Sequence, residues 1–125
     1  MFKLVSTPNA PLALGPYSHA VRAGKLIFCS GQTGIDPKTG TLVEGLENQV
    51  QQTLANIKSV VKAAGSDMQH VIKTTVYLTN VAEFPIMNAI YEKAFAPHKP
   101  ARATVEVSNL PKGALIEIEA IAVSK

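Results

Sequence analysis

Two glutamates stand two residues apart near the C-terminus, in Ile116-Glu117-Ile118-Glu119. Side chains alternate along an extended strand, so Glu117 and Glu119 share a side with Leu115 and Ile121. A carboxylate on an otherwise apolar strand needs a hydrogen-bonding or charged partner. Two readings stay open: solvated glutamates on an edge strand, or a carboxylate that positions a water or moves a proton. Arg102 follows the stiff segment Pro97-His98-Lys99-Pro100 at the start of a strand. A guanidinium there suits bidentate capture of a carboxylate, and it equally suits an ordinary surface position. If the last two strands pair, Arg102 and Glu117 lie on neighbouring elements. Asn88 interrupts the helically spaced apolar residues Phe84, Tyr91 and Phe95, so its amide must find partners in the core or on a ligand.

Other candidates read as structural. Cys29 ends the apolar run Leu26-Ile27-Phe28. A nucleophilic cysteine wants a nearby base, and only His19 is local in sequence, so a small buried hydrophobe is the better reading. His19, His70 and His98 lack ligand spacing, so no metal site is expected. Gly31-Gln32-Thr33-Gly34 has neither the ending of a phosphate loop nor the pattern GxGxxG, and these glycines read as turn residues. No cofactor is called for.

The elements that must position these residues fit in 125 residues, one domain's worth. With 46% hydrophobic residues the chain can build a single core and bury roughly two thirds of its unfolded surface. The net charge of +3 is scattered, without a basic stripe for nucleic acid or membrane. A lone cysteine excludes an intramolecular disulfide and a thiolate metal cluster. No stretch approaches the roughly 20 apolar residues of a membrane span, and the first residues resemble neither a signal nor a transit peptide. A soluble, cytoplasmic protein is expected.

Residues 6–18 read as an irregular approach segment, and residues 20–30 as a hairpin turning at Ala23-Gly24-Lys25. Residues 31–45, with four glycines, read as loop. Leu46, Val50, Leu54, Ile57, Val61 and Ala64 predict a helix over 46–64, with Gly65 at its C-terminal cap. Residues 71–79 are dense in β-branched side chains and predict a strand. Asn80 with Glu83 offers a capping box for a helix over 84–95, although Pro85 disturbs its first turn. Strands over 103–107 and 115–123 close the chain. The order predicts an α+β fold with both helices on one sheet face. The other face must also be covered, since Ile116, Ile118, Ala120 and Ala122 line one side of the last strand, and a symmetric oligomer would cover it.

Four segments together resemble the Rid (reactive intermediate deaminase, RidA/YjgF-like) family: Gly15-Pro16-Tyr17-Ser18, Cys29-Ser30-Gly31-Gln32, Met87-Asn88-Ala89-Ile90-Tyr91, and Pro100-Ala101-Arg102-Ala103-Thr104-Val105-Glu106-Val107 running on to Ile116-Glu117-Ile118-Glu119. The resemblance covers essentially the whole chain. It implies a chorismate-mutase-like, mixed six-stranded sheet with two helices on one face, and a homotrimeric barrel with ligand clefts between subunits. It implies hydrolysis of 2-iminopropanoate and 2-iminobutanoate to 2-oxo acids and ammonia. In that reading Arg102 clamps the substrate carboxylate and Glu117 orients the attacking water. Tyr17, Ser30, Gly31 and Asn88 line the cleft, and the backbone at Thr104 meets the substrate nitrogen or the water. Two positions depart from the family pattern: Thr104 stands where deaminases commonly have Cys, and His19 where they have Gln.

The chemistry is coherent on its own terms. An imine carbon is already electrophilic, so hydrolysis needs a held carboxylate, a placed water and a proton donor rather than a metal. The competing class is an RNA-acting or ligand-sensing regulator of the same family. Scattered charge without stacked aromatics argues against a dedicated RNA binder.

Overall fold

The computed structural model describes residues 1–125. Strands β1 (Phe2–Val5), β2 (Ala20–Ala23) and β3 (Leu26–Gln32) precede helix α1 (Leu46–Ala63). Strand β4 (Val71–Leu78), helix α2 (Phe84–Phe95), β5 (Ala101–Glu106) and β6 (Ile116–Val123) complete the chain. Helix α1 forms where its apolar stripe predicts. Val50, Leu54, Ile57 and Val61 are buried, with Glu47 in the first turn and Lys62 in the last to complement the helix dipole. Asn80 caps a short 3₁₀ turn leading into α2, its Oδ1 accepting from the Ala82 N–H. Glu83 reaches the Asn80 side-chain amide at 3.4 Å instead of its backbone N–H, so the capping box is only half formed. Pro85 sits in the first turn of α2, where its missing N–H costs nothing.

The six strands form one mixed sheet in the order β1-β2-β3-β6-β4-β5. Only β4 and β5 run parallel, joined through α2. The expected hairpin of β2 and β3 is present, with Gly24 at φ +62 in the turn. Strand β1 supplies the sixth strand that the family resemblance implies and that the residue patterns did not locate. It is four residues of largely exposed side chains, held by its pairing with β2. The last two strands do not pair with each other, because β4 lies between them. A parallel β5 must return beside β4, whereas β6 completes antiparallel ladders with both β3 and β4.

Both helices lie on one face. Ile116, Ile118, Ala120 and Ala122 of β6 are buried beneath them with Ile27, Val71 and Val76. Thr74 of β4, fully buried, shares a 2.6 Å hydrogen bond with the Tyr91 hydroxyl of α2. Gln49 of α1 accepts from the Leu115 N–H at 2.8 Å and so ties the helix to the start of β6. The opposite face carries Phe2, Leu4, Leu26, Phe28 and Val105, each at least 40% exposed, together with Ile121. The apolar face left open is therefore this one, and not the Ile116/Ile118/Ala120/Ala122 side singled out from sequence, which the helices cover. No helix is long and apolar enough to cross a membrane.

The Thr74–Tyr91 bond yields a first prediction. Tyr91→Phe leaves the Thr74 hydroxyl buried without a partner and should cost about 1–3 kcal/mol in denaturant unfolding. Adding Thr74→Val should recover most of that loss. A double variant as unstable as the single one would refute this account.

Candidate active site

Strand β3 carries a bulge. Cys29 pairs with Ala120 and Gln32 with Ile118, so Ser30 and Gly31 occupy an irregular stretch with one residue too many. Gly31 is thus inside a strand rather than a turn. A Cβ there would stand 2.6 Å from Glu117 Oε2 and 2.8 Å from its Cδ, so the missing side chain makes the space in which the Glu117 carboxylate lies. Gly34 is no turn glycine either: its Cβ would come within 2.8 Å of the Gln49 backbone, and its absence lets α1 approach the sheet.

Glu117 is half-buried. Burial, and after it the charge of Glu119, holds its carboxyl above the usual carboxylate range. Tyr77 lies opposite Glu117 across the β4–β6 ladder, and burial followed by the charge of Glu119 raises its phenol. Glu119 itself is exposed.

The approach segment is tied to the bulge. The Ser30 N–H donates to the His19 carbonyl at 3.0 Å, and the Ser30 hydroxyl donates to the Ser18 carbonyl at 2.6 Å. Tyr17, next in the chain, remains half exposed. The buried His19 accepts from the Thr7 N–H on Nδ1, which fixes Nε2 as the donor to the Pro11 carbonyl. Cys29 is buried and its thiol is pushed up to about 12, which leaves it a packing residue at neutral pH.

A second group forms around α2 and β5. Nη1 of Arg102 donates to Asn88 Oδ1 at 2.7 Å. The guanidinium carbon sits 4.8 Å from the Tyr91 ring centroid and 5.3 Å from that of Phe84. The only ion pairs in the chain involve Asp67, so Arg102 has no carboxylate partner. It lines a cleft of about 540 Å³ with Asn88, Tyr91, Pro97, His98 and Lys99. His98 donates from Nε2 to the Val71 carbonyl at 2.6 Å and so fixes the Pro-rich segment that delivers Arg102. The Phe84 and Tyr91 platform was missed from sequence. Its signal was present in the stripe that Asn88 interrupts, since Phe84, Asn88 and Tyr91 fall at helical spacing.

The structure does not bring the two groups together within one chain. Arg102 pairs with Thr74 on the helix-covered face, whereas Glu117 pairs with Tyr77 on the open face. Thr74 and Tyr77 are three residues apart on β4, so their side chains point to opposite sides. Gly31 and Glu117 stand together on one side, with Ser30 in the same bulge, and Asn88 and Arg102 on the other, with Thr104 two residues along β5. The two halves are separated by strand β4.

This α+β domain has known counterparts. The family model described as endoribonuclease L-PSP matches residues 7–124. A RutC family protein of Pyrococcus horikoshii is 51% identical over 98% of each chain. The 2-iminobutanoate/2-iminopropanoate deaminase of Salmonella typhimurium is 45% identical over the whole of both chains. Among solved structures, E. coli TdcF with bound serine superposes with a TM-score of 0.94 at 39% identity, covering 98% of this chain and 99% of that one. The chain belongs to the endoribonuclease L-PSP family, and within it to the Rid proteins.

The raised Glu117 carboxyl sets a pH signature. Its folded pKa lies above the unfolded value of about 4.3, so ionising it costs folded stability as pH rises through the folded pKa. Glu117→Gln should therefore raise the melting temperature relative to wild type at pH 7–8 and have little effect near pH 4. A difference in melting temperature that is the same at both pH values would contradict the raised pKa.

Proposed function

We propose that this protein is a hydrolytic deaminase of 2-imino acids such as 2-iminopropanoate and 2-iminobutanoate, acting as a homotrimer with its sites between subunits. The observation that carries the reading is Arg102: a guanidinium fork fixed by Asn88 and two aromatic rings, open to a cleft, with no carboxylate of its own. Such a fork suits a planar carboxylate ligand. The relatives named as 2-iminobutanoate/2-iminopropanoate deaminases, and the serine held by TdcF, point to amino-acid-like molecules.

In this mechanism Arg102 holds the substrate carboxylate, and Asn88 keeps the fork in plane. Glu117 takes a proton from a water as its oxygen bonds to the imine carbon. The resulting carbinolamine collapses: its nitrogen receives a proton and leaves as ammonia, the hydroxyl loses its proton, and a 2-oxo acid remains. A carboxyl held above its ordinary range is the stronger proton acceptor for the attacking water and can still return the proton. Tyr17, Ser30 and Gly31 line the Glu117 side of the cleft, and the backbone at Thr104 lines the Arg102 side.

Arg102 and Glu117 lie on opposite sheet faces, two strands apart across the sheet and three register positions apart along it. For both to act on one small molecule they must come from different copies of the chain. The exposed apolar face supports the same assembly, since Phe2, Leu4, Leu26, Phe28 and Val105 would be covered when three sheets close on one another.

The test is kinetic. Imine is generated in situ and its decay is followed with wild type, Glu117→Gln, Arg102→Ala and Arg102→Lys. Glu117→Gln should lose roughly 10²–10⁴-fold in rate while still binding 2-oxobutanoate. Both Arg102 variants should lose about 2–4 kcal/mol of transition-state binding, because lysine cannot reproduce the fork. Light scattering should give a trimeric mass. Imine decay at the uncatalysed rate with wild type would defeat the reading, and RNA cleavage by the same preparation would favour the family's other activity.

A further inference from the structure

A second cleft, of about 700 Å³, lies between α1 and α2 and shares no residue with the one beside Arg102. Ala55, Lys58 and Lys62 fall at steps of three and four along α1, and Ile90, Lys93 and Ala94 do so along α2. Each helix therefore lines the cleft with a single stripe. The floor is apolar, built on the buried Leu54, the half-buried Ile90 and Ala94, and the exposed Ala55. Both helices lie on one side of the sheet and the exposed apolar face on the other, so closing sheets on one another through that face does not fill this cleft.

Positive charge that is scattered along the sequence is gathered here by the fold. The rim carries Lys58, Lys62, Lys93 and Lys125 against one acid, Asp67. Elsewhere eight basic and eight acidic residues remain and cancel, so the whole excess of +3 stands at this cleft. Asp67 is already engaged by His70 at 2.6 Å and Lys125 at 3.5 Å, and Lys58, Lys62 and Lys93 have no acidic partner.

The lining also decides between anionic partners. No arginine and no aromatic ring faces the cleft, so it offers neither a fork for phosphates nor a platform for stacked bases. A channel between two helices, apolar in its floor and cationic at its rim, complements a helix with an apolar stripe flanked by carboxylates. We propose that the α1–α2 cleft docks an acidic amphipathic helix of a partner protein, its apolar stripe on Leu54, Ala55, Ile90 and Ala94 and its carboxylates on the lysines. This surface is independent of the deaminase reading.

The test uses a fluorescent synthetic peptide of about four helical turns, with leucines on one stripe and glutamates elsewhere. Anisotropy should show saturable binding of one peptide per chain, weakening as salt is raised, and circular dichroism should show the peptide gaining helix. Lys58→Glu/Lys62→Glu/Lys93→Glu should weaken binding roughly 10- to 100-fold. Ala55→Gln/Ala94→Gln fills the floor without touching a charge and should weaken it about 10-fold or more. This second variant keeps the test valid should charge reversal disturb folding, and melting temperatures check both. A peptide of the same charge with serines for leucines should bind far more weakly. Equal binding of the two peptides would overturn the proposal by reducing it to diffuse charge attraction, and absence of saturable binding to wild type would overturn it outright. A single-stranded RNA that displaces the peptide and loses affinity in the lysine variant would overturn it in favour of a nucleic-acid partner.

Discussion

Strand β6 hydrogen-bonds to β3 on one side and to β4 on the other, and this double pairing sets every other position in the domain. One of its faces, Ile116, Ile118, Ala120 and Ala122, is fully or nearly fully buried beneath the helices. Its register is therefore not free, since a slip by one residue would drive Glu117 and Glu119 into that apolar layer. With the register held, Glu117 must emerge on the other face beside β3. There the bulge at Ser30 and Gly31 and the missing side chain of Gly31 leave room for its carboxylate. The half-buried, electrostatically crowded setting that lifts its proton affinity follows from that placement rather than from any dedicated partner.

Arg102 is handled by the opposite strategy. Its charge is neither buried nor paired with an acid, and is supported by an amide oxygen and the faces of two aromatic rings. This arrangement restricts the long side chain without neutralising it, so under the proposed function a ligand carboxylate would meet a pre-formed fork and less ordering would be needed at binding. The helix that supplies Phe84, Asn88 and Tyr91 is held in turn by the Tyr91–Thr74 bond, and the segment leading to Arg102 by His98 on the Val71 carbonyl. Core packing and ligand readiness are carried by the same residues.

A β-sheet keeps the side chains of its two faces apart, so a carboxylate and a guanidinium on opposite faces cannot meet within one chain. The same sheet leaves a row of large apolar side chains on the Glu117 face. Assembly would answer both facts at once, by covering that row and by bringing one copy's Glu117 to another's Arg102. Subunit association and catalysis would then be lost together in variants that weaken the interface.

The sequence by itself determined the elements whose signals are local. The 3.6-residue spacing of Val50, Leu54, Ile57 and Val61 made α1 legible to within a residue, and the β-branched run made β4 legible. The same held for the α+β class and for Cys29 as a buried packing residue. Tertiary structure decided what depends on pairing at a distance. Strand β1 exists only because β2 offers it a ladder. The separation of β5 from β6 by β4 follows from competition between parallel and antiparallel partners, which no local pattern encodes. Gly31 and Gly34 read as turn glycines until the side chain of Glu117 and the backbone of Gln49 occupied the space beside them. Which face Arg102 shares with which neighbour is likewise a matter of register, and register is set by burial summed over the whole sheet.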